Sequence, residues 1–215
     1  MIRLFNCDNM DFMRSVPDGF YELAICDVPY GIGAENHAGS VNNGWTQWPL
    51  KKWDSDTPKE PYFNELLRVS KNQIMWGGNY ITDFLRPSKG WIVWDKGQRD
   101  FSLADGELAW TSFDKSLRIF DYARAKANQE DKIHPTQKPV ALYKWLLKNY
   151  AKEGDKILDS HGGSLSIAIA CGEMGYDLDA CELDVDYFKD SVARVQRHFT
   201  QSNAFMKTPE ILVNP

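Results

Sequence analysis

The apolar run "LAIC" is followed directly by Asp27, Val28, Pro29 and Tyr30. A carboxylate and an aromatic ring at the end of a predicted strand can bind a planar, polar ligand by hydrogen bonding and stacking. A simpler interpretation is that Pro29 and Gly31 only turn the chain after the strand. Taken alone, the tetrad favours the turn, so a chemical role depends on the other motifs of the chain.

A second candidate site follows the predicted strand "DKILDS", where Asp159 precedes a glycine loop that leads into a helix. Such a junction presents backbone N–H groups and the positive end of a helix. Glu182 ends the next predicted strand, about 20 residues beyond the loop, where an acid can accept hydrogen bonds from both hydroxyls of a ribose. The structural alternative is that the acid caps the helix and the glycines allow close packing.

Three other ligands for this loop are disfavoured by its details. A P-loop would need a lysine after the last glycine, and none follows. A dinucleotide site would need GxGxxG, and the preceding acid is poor at facing a pyrophosphate. The "HGGS" stretch resembles the oxyanion loop of an esterase, but the chain contains no GxSxG motif. The residue chemistry therefore points to a nucleoside that carries a positively charged amino group.

The order of predicted elements indicates the fold class. The chain opens as strand, helix and strand, and its last third alternates between strands and helices. Strands that alternate with helices predict a mostly parallel sheet covered on both faces. The glycine loop then falls beside the carboxyl edge of the sheet, where α/β proteins hold nucleoside-containing ligands.

Composition limits the size and class of the protein. With 215 residues, the chain has room for one substantial α/β domain and not for two. Hydrophobic residues make up 43% and charged residues 26%, as in ordinary globular proteins. The formal net charge of -5 argues against nonspecific coating of nucleic acid, although residues 68–138 carry a small excess of basic residues that could face phosphates.

Localisation and redox state are predicted from patterns that the sequence lacks. No apolar run approaches the roughly 18 residues of a membrane span, and the N-terminus shows no signal-peptide pattern. The four cysteines are too irregularly spaced for a zinc knuckle or a redox pair, so no metal site is predicted and they are expected to be buried hydrophobes. These patterns predict a cytoplasmic protein without membrane contact.

Three motifs in fixed order resemble one enzyme family. "DVPY" after a strand, "HPTQKP" before a helix, and "LDSHGGSLS" with "CELD" are similar to the amino-methylating DNA methyltransferases of the β arrangement, in which the catalytic motif precedes the cofactor half. The resemblance covers nearly the whole chain. It implies the doubly wound α/β fold of S-adenosylmethionine-dependent methyltransferases, with a mixed, mostly parallel sheet of about seven strands.

For the tetrad, the resemblance implies methyl transfer from S-adenosylmethionine to the exocyclic N6 of an adenine flipped out of DNA. Asp27 and the backbone carbonyl of Val28 would accept hydrogen bonds from the target amine, and Tyr30 would stack on the base; Pro29 completes the catalytic tetrad. Acceptors aimed at the two amine hydrogens favour the pyramidal geometry that frees the nitrogen lone pair for attack. Stacking on Tyr30 would return part of the stacking energy lost on flipping.

The resemblance also assigns a set of residues to the cofactor. Asp159 and the glycine loop would surround the methionine portion, and Glu182 would hold the ribose. The "HPTQKP" turn would close over the amino-acid end, and Asp8 would reach the adenine ring. The cofactor-binding residues predicted in this way are Asp8, His134, Gln137, Lys138, Asp159, His161, Gly162, Gly163, Ser164 and Glu182.

Two positions depart from the family pattern. Val28 replaces the usual second proline of the tetrad, but the chemistry can survive because this residue contributes its carbonyl. His161 replaces a usual phenylalanine and can still cover the cofactor by ring contact.

Acid-first tetrads favour adenine in this family. The alternatives are an N4-cytosine methyltransferase, or a catalytically weak homologue that binds DNA or cofactor.

Family members commonly carry a sizeable target-recognition insertion, for which this chain has little room. We predict one methyltransferase domain over residues 1–205, with an insertion at 34–60 that is flexible or faces DNA. A reduced recognition region is predicted at 96–132 and a tail at 206–215. DNA is the predicted partner, and a second copy of the chain and a restriction endonuclease are further candidates.

Overall fold

The computed structural model describes residues 1–33, 54–100, 104–134, 136–201 and 208–214. The strands are β1 (Ile2–Asn6), β2 (Tyr21–Asp27), β3 (Ser70–Trp76), β4 (Trp91–Asp95), β5 (Gly106–Thr111), β6 (Arg118–Asp121), β7 (Lys156–Asp159), β8 (Asp177–Glu182) and β9 (Ile211–Asn214). The α-helices are α1 (Asn9–Arg14), α2 (Glu60–Val69), α3 (Arg124–Ala127), α4 (Val140–Tyr150), α5 (Ser166–Met174) and α6 (Val185–Gln201). Two short 3-10 helices, Gly78–Tyr80 and Thr82–Phe84, follow β3.

The nine described strands form one sheet in the order β6-β4-β5-β3-β2-β7-β8-β1-β9. Neighbouring strands are parallel except where β5 pairs with β3 and with β4. The predicted doubly wound α/β fold with a mixed, mostly parallel sheet is therefore confirmed. The predicted number of about seven strands is corrected to nine.

The two unpredicted strands lie at the two edges of the sheet, β6 beside β4 and β9 beside β1. Each has four residues, and neither lies between two predicted helices, as the equally short β7 does. The prediction of a tail at 206–215 is wrong for residues 211–214, because their backbone pairs in parallel with β1. Of the predicted insertion at 34–60, residues 34–53 lie outside the described residues.

Apolar side chains cover both faces of the sheet. Successive residues of β2 point to opposite faces, so Leu23 packs in the cluster formed with α4, α5 and α6, whereas Ala24 packs in the cluster formed with α1 and α2. α5 is buried along nearly its whole length, which explains its almost wholly apolar sequence. Burial on both faces fixes the strands that carry the functional motifs.

The catalytic and glycine motifs follow two adjacent strands. β2 ends at Asp27 and β7 ends at Asp159, and the two strands pair in parallel through Leu23 with Ile157. From β2 the sheet continues to β3 on one side, and from β7 it continues to β8 and β1 on the other. The chain order therefore reverses between β2 and β7, and such a switch point opens a crevice at the carboxyl ends of the strands.

The cysteines are free thiols, and Cys26, Cys171 and Cys181 are buried as predicted, whereas Cys7 is partly exposed. Within the described ranges, no group of three or more His, Cys, Asp or Glu side chains could hold a metal ion. No helix in that same part of the chain has the length and apolarity needed to cross a membrane.

Candidate active site

A cavity of about 770 Å³ opens at the carboxyl ends of β1, β2, β7 and β8. Its volume lies in the range of pockets that bind small molecules. The predicted site residues that line it are Asp8, Asp27, Val28, Pro29, Tyr30, His134, Gln137, Lys138, His161, Gly162, Gly163, Ser164 and Glu182. Asp159 alone among the predicted residues does not. The two predicted halves of the site therefore share one cavity.

Asp27 is the last residue of β2, and its side chain is 21% exposed. Its Oδ1 accepts a hydrogen bond from the Tyr30 hydroxyl at 2.8 Å and pairs with the Lys138 ammonium at 2.6 Å. Burial raises the pKa of Asp27; Lys138 opposes this effect and Glu107 adds to it. One oxygen of the predicted catalytic carboxylate is thus already used by two donors of the same chain.

Asp54 holds the backbone of the tetrad, a role that sequence reasoning missed. It is 1% exposed, and its Oδ1 accepts hydrogen bonds from the backbone N–H groups of Tyr30 at 2.5 Å and Gly31 at 3.0 Å. A buried acid that binds two successive amides fixes the turn after Pro29. Asp54 belongs to an aperiodic stretch, where no sequence pattern distinguishes it from other acids.

The Tyr30 ring is confined on two sides. It stacks on Tyr80 with ring centroids 5.0 Å apart and an interplanar angle of 14°. Gly77 has a φ of +73°, and a Cβ there would lie 2.1 Å from Tyr30 Cε1, so this close approach requires glycine. A base can stack on Tyr30 only over ring surface that Tyr80 does not cover, or by displacing Tyr80.

Lys138 lies between two carboxylates. Its side chain is 2% exposed, and Nζ lies 2.6 Å from Asp27 Oδ1 and 3.0 Å from Glu107 Oε2. Burial lowers the pKa of Lys138, but the two carboxylates outweigh burial and raise the pKa above its ordinary value. Two carboxylates therefore hold the Lys138 ammonium beside the tetrad, and its predicted contact with the amino-acid end of the cofactor stays a prediction.

Glu107 of β5 is a second residue that sequence reasoning missed. Its Oε1 lies 2.6 Å from the Lys96 ammonium, and its Oε2 lies 3.0 Å from that of Lys138. Burial raises the pKa of Glu107, but Lys138 and Lys96 outweigh it and hold the pKa at about 2. Four side chains therefore form a series of alternating negative and positive charges: Asp27, Lys138, Glu107 and Lys96.

Two residues of the "HPTQKP" turn line the cavity while stabilising the turn itself. Gln137 Oε1 accepts a hydrogen bond from the Ile133 N–H at 3.1 Å, and its Nε2 donates to the Asp131 carbonyl at 3.1 Å. His134 is buried and packs edge-on against Tyr187, with centroids 4.5 Å apart. The amide of Gln137 therefore shapes the turn, and its predicted contact with the cofactor stays a prediction.

The glycine loop is bound to the end of β8. The Gly162 N–H donates to the Cys181 carbonyl at 2.7 Å, and the Gly163 N–H donates to Glu182 Oε2 at 2.8 Å. A Cβ on Gly162 would lie 2.8 Å from the Leu165 side chain and 3.2 Å from the Cys181 carbonyl oxygen. Leu165 has a φ of 53°, a strained value for a residue other than glycine. The loop geometry is therefore set by the protein itself.

Glu182 uses both carboxylate oxygens without exhausting them. Oε2 accepts from Gly163, and Oε1 accepts from the Asp184 N–H at 2.8 Å. Each carboxylate oxygen can accept more than one hydrogen bond. Burial raises the pKa of Glu182, and the backbone bonds from Asp184 and Gly163 oppose this effect. Both oxygens can therefore accept further hydrogen bonds, and the predicted contact with a ribose stays a prediction.

Asp159 lies beneath the loop and not in the cavity. It is 1% exposed, and its Oδ1 accepts a hydrogen bond from the His161 N–H at 3.0 Å. Burial raises the pKa of Asp159 to about 7, against the effect of that hydrogen bond and with the help of Asp27 and Glu182. The carboxylate therefore anchors the loop backbone, and its predicted contact with the methionine portion of the cofactor stays a prediction.

His161 is held at both ring nitrogens. Nε2 lies 3.1 Å from Asn9 Nδ2, and Nδ1 lies 3.0 Å from Ser160 Oγ. Asn9 Nδ2 also donates to the Ser160 carbonyl at 3.1 Å, which assigns it as the amide nitrogen and makes Nε2 of His161 an acceptor. Nδ1 therefore carries the proton. Burial lowers the pKa of His161 to about 4, so the ring is neutral near pH 7.

This neutral histidine predicts a loss of stability in acid. The pKa of His161 is about 4 in the folded chain and 6.5 in its ordinary state, so between these values the unfolded chain binds the proton that the folded chain excludes. His161→Phe removes this difference. When the pH falls from about 7 to about 5, the unfolding free energy of the unmodified protein should therefore decrease by on the order of 2 kcal/mol more than that of the variant. Urea unfolding of both proteins at both pH values measures this. If the difference in unfolding free energy between variant and unmodified protein were the same at pH 7 and pH 5, the burial of a neutral His161 would be contradicted.

Asp8 borders the cavity and begins α1. Its Oδ1 accepts hydrogen bonds from the backbone N–H groups of Met10 at 2.7 Å and Asp11 at 3.2 Å, as a helix-capping residue does. Its predicted contact with an adenine ring stays a prediction.

Known proteins match this chain in sequence and in fold. Residues 93–193, slightly less than half of the chain, match the model of the N6/N4 methyltransferase family, described as DNA methylase. A segment of 72 residues, 34% of this chain, is 31% identical to the type II methyltransferase M.HpaI of Haemophilus parainfluenzae. The match spans 23% of the length of that protein.

Solved structures of similar fold cover almost the whole chain. M1.HpyAVI in complex with SAM has a TM-score of 0.61 at 16% identity, over 91% of this chain and 99% of its own. A protein of Thermus thermophilus in complex with S-adenosyl-L-methionine has a TM-score of 0.60 at 13% identity over 100% of both chains. The cytosine-N4-specific PvuII DNA methyltransferase has a TM-score of 0.60 at 11% identity, over 97% of this chain and 94% of its own. Residues 93–193 are therefore similar to the DNA methylases of the N6/N4 methyltransferase family, and the whole chain shares the α/β fold of these solved structures.

Proposed function

We propose that this protein transfers a methyl group from S-adenosylmethionine to the exocyclic N6 of an adenine flipped out of DNA. The observation that carries the proposal is the shared cavity: Asp27 at the end of β2 and Glu182 at the end of β8 open into the same space. One half of this cavity offers a carboxylate and an aromatic ring to a base. The other half offers a glycine loop and an acid to a nucleoside.

The glycine-loop half fits S-adenosylmethionine, which supplies a methyl group on a positively charged sulfur when it is bound. Glu182 presents two carboxylate oxygens that can accept from the ribose hydroxyls. Gly162 and Gly163 leave the loop without side chains at the cavity wall. The neutral His161 ring can cover the cofactor without repelling a sulfonium, as a protonated ring would.

The tetrad half fits the activation of an aromatic amine. Such an amine is a poor nucleophile because its lone pair is delocalised into the ring. The Asp27 carboxylate and the Val28 carbonyl act as acceptors for its two hydrogens, which favours the pyramidal nitrogen that attacks the methyl carbon. The amine then loses one proton, and Asp27 or water accepts it.

Adenine is the proposed base because the tetrad begins with an acid, as is usual for adenine in the family that the motifs resemble. Cytosine N4 is the second candidate, since the cytosine-N4-specific PvuII enzyme shares this fold. A catalytically weak homologue is the third, and it would follow if Val28 did not direct its carbonyl at the amine.

A basic cluster in the predicted recognition region supports a DNA substrate. Burial lowers the pKa of Lys132, and the positive charges of Arg124 and Lys96 lower it further, although Lys96 is itself paired with Glu107. Clustered lysine and arginine side chains bind the phosphate backbone and set the register of a protein on DNA.

Lys132→Gln is expected to weaken DNA binding in a salt-dependent way. Loss of one phosphate contact should make the plot of log association constant against log salt concentration less steep by about 0.9. Fluorescence anisotropy over a salt series measures this slope. The control is Lys148→Gln, an exposed lysine in the last turn of α4, at the end of that helix away from the cavity, which should leave the slope unchanged. Equal slopes for both variants would contradict the phosphate contact.

Sequencing of modified bases in DNA from cells that express the protein tests the proposed function. It reports the base, the atom and the sequence context together. N6-methyladenine at a fixed sequence is expected, and N4-methylcytosine would support the second candidate. Unmodified DNA from cells that contain folded, cofactor-binding protein would contradict methyl transfer to DNA.

The proposed compartment is the cytoplasm, where DNA and cofactor are both accessible to such an enzyme.

A further inference from the structure

We propose that Glu107 is a positioning residue for methyl transfer, which takes over the Lys138 ammonium when the target amine binds to Asp27. The catalytic consequence of this role rests on the proposed function. The exchange of the ammonium between two carboxylates rests on the contacts of the three side chains.

The first step is that Lys138 competes with a target amine. Its Nζ lies 2.6 Å from Asp27 Oδ1, and the Tyr30 hydroxyl donates to the same oxygen at 2.8 Å. An amine that is to be activated by Asp27 needs acceptor capacity on that carboxylate. The contact with Lys138 therefore reduces the negative charge that Asp27 Oδ1 can offer to the amine, and a weaker contact would favour its activation.

The second step is that Lys138 has one alternative carboxylate within reach. Its side chain is 2% exposed, so water cannot readily replace a lost partner, and an unpaired buried ammonium is costly. In the described part of the chain, the ion pairs of Lys138 within 4 Å are those with Asp27 and Glu107, the latter at 3.0 Å. Lys138 Nζ also donates to the Tyr30 hydroxyl at 3.1 Å, but that oxygen is neutral, so Glu107 is the partner that balances the charge of Lys138 when its contact with Asp27 weakens.

The third step is that Glu107 stays fixed and charged. Its Oε1 is held by Lys96 at 2.6 Å, which leaves Oε2 directed at Lys138. Glu107 lies in β5, opposite Trp94 of the neighbouring strand β4, so the backbone is held in the sheet. A rigid carboxylate of this kind can receive the ammonium without rearranging.

Opposite substitutions should shift the pKa of Asp27 in opposite directions. The groups that face Asp27 are Lys138, Tyr30, Glu107, Asp159 and Tyr143, and Lys96 acts on it through Glu107. Glu107→Gln removes a negative charge near Asp27 and leaves Lys138 to Asp27 alone, and both changes lower the pKa of Asp27. Lys138→Met removes the positive charge and raises it.

The test uses the full chain and two readouts. Carbon NMR of the Asp27 carboxyl group gives its pKa directly, and steady-state methyl transfer over a pH series gives the acid limb of kcat. Glu107→Gln is expected to move both to lower pH and to reduce the plateau kcat on the order of 10- to 100-fold, with KM for S-adenosylmethionine within a few-fold. Lys138→Met should move both to higher pH. Glu107→Asp retains the charge and should return the acid limb towards that of the unmodified protein.

Glu153→Gln is the matched control, because Glu153 is exposed and lies after α4, and it should change neither readout. An Asp27 pKa that stays constant or rises in Glu107→Gln would overturn the proposal. The NMR titration needs no turnover. If the unmodified protein transferred no methyl group, the proposed function would fail while the titration would still decide whether the two carboxylates share Lys138.

Discussion

Replacement of Asp27 by alanine is expected to abolish methyl transfer and to leave the affinity for S-adenosylmethionine within a few-fold. Asp27 lies in the catalytic half of the cavity, whereas Glu182 and the glycine loop are held by β8 and their own backbone contacts. Loss of one preorganised polar group at a reacting atom costs on the order of 100- to 1,000-fold in rate. The variant also releases Lys138 from its closer carboxylate, but Glu107 remains as its partner.

Isothermal titration of the cofactor and a methyl-transfer assay on the same preparation separate the two effects. Asp27→Asn keeps the shape of the side chain and one acceptor oxygen, so it should retain more activity than Asp27→Ala. Asp83→Ala, at an exposed position after β3, is the control and should match the unmodified protein in both measurements. A large loss of cofactor binding in Asp27→Ala would show that the two halves of the cavity are assigned wrongly.

Replacement of Glu182 by alanine is expected to have the largest effect on cofactor affinity. In the proposed function the carboxylate accepts hydrogen bonds from two ribose hydroxyls, and in the structure it also accepts one from the Gly163 N–H. Hydrogen bonds to a charged group contribute about 1.5–3 kcal/mol each. Loss of both ribose contacts should therefore raise the dissociation constant on the order of 100-fold or more. The melting temperature of the unbound protein should change little.

Isothermal titration with S-adenosylmethionine measures this effect. Glu182→Gln keeps one acceptor oxygen and should bind more tightly than Glu182→Ala but more weakly than the unmodified protein. Glu153→Ala, an exposed acid, should leave the affinity unchanged. Unchanged affinity in Glu182→Ala would place the ribose elsewhere in the cavity.

The fold class could be predicted because its signals are local and repeated. The last third of the chain alternates between strands and helices long enough for their periods to be recognised. β6 and β9 could not be predicted, because each has four residues and neither lies between two predicted helices, as the equally short β7 does. The antiparallel placement of β5 between β3 and β4 depends on pairing between distant segments, which a local period does not record.

The position of a residue at the cavity could be predicted where a motif ends a strand, as for Asp27 and Glu182. The arrangement of Lys138 could not, because it depends on Glu107, which the antiparallel strand β5 brings to the cavity. Asp159 is a candidate ligand by residue type, but its burial under the loop is a tertiary feature. Asp54 lies in a stretch without periodicity, and only the folded chain shows that it binds the tetrad backbone.

One assay tests the central claim most directly. The protein is incubated with S-adenosylmethionine labelled at the methyl group and with unmethylated DNA, and the DNA is digested to nucleosides for mass spectrometry. The proposed function predicts labelled N6-methyladenine with the unmodified protein and none with Asp27→Ala. Protein that binds the cofactor but yields no labelled nucleoside would contradict it.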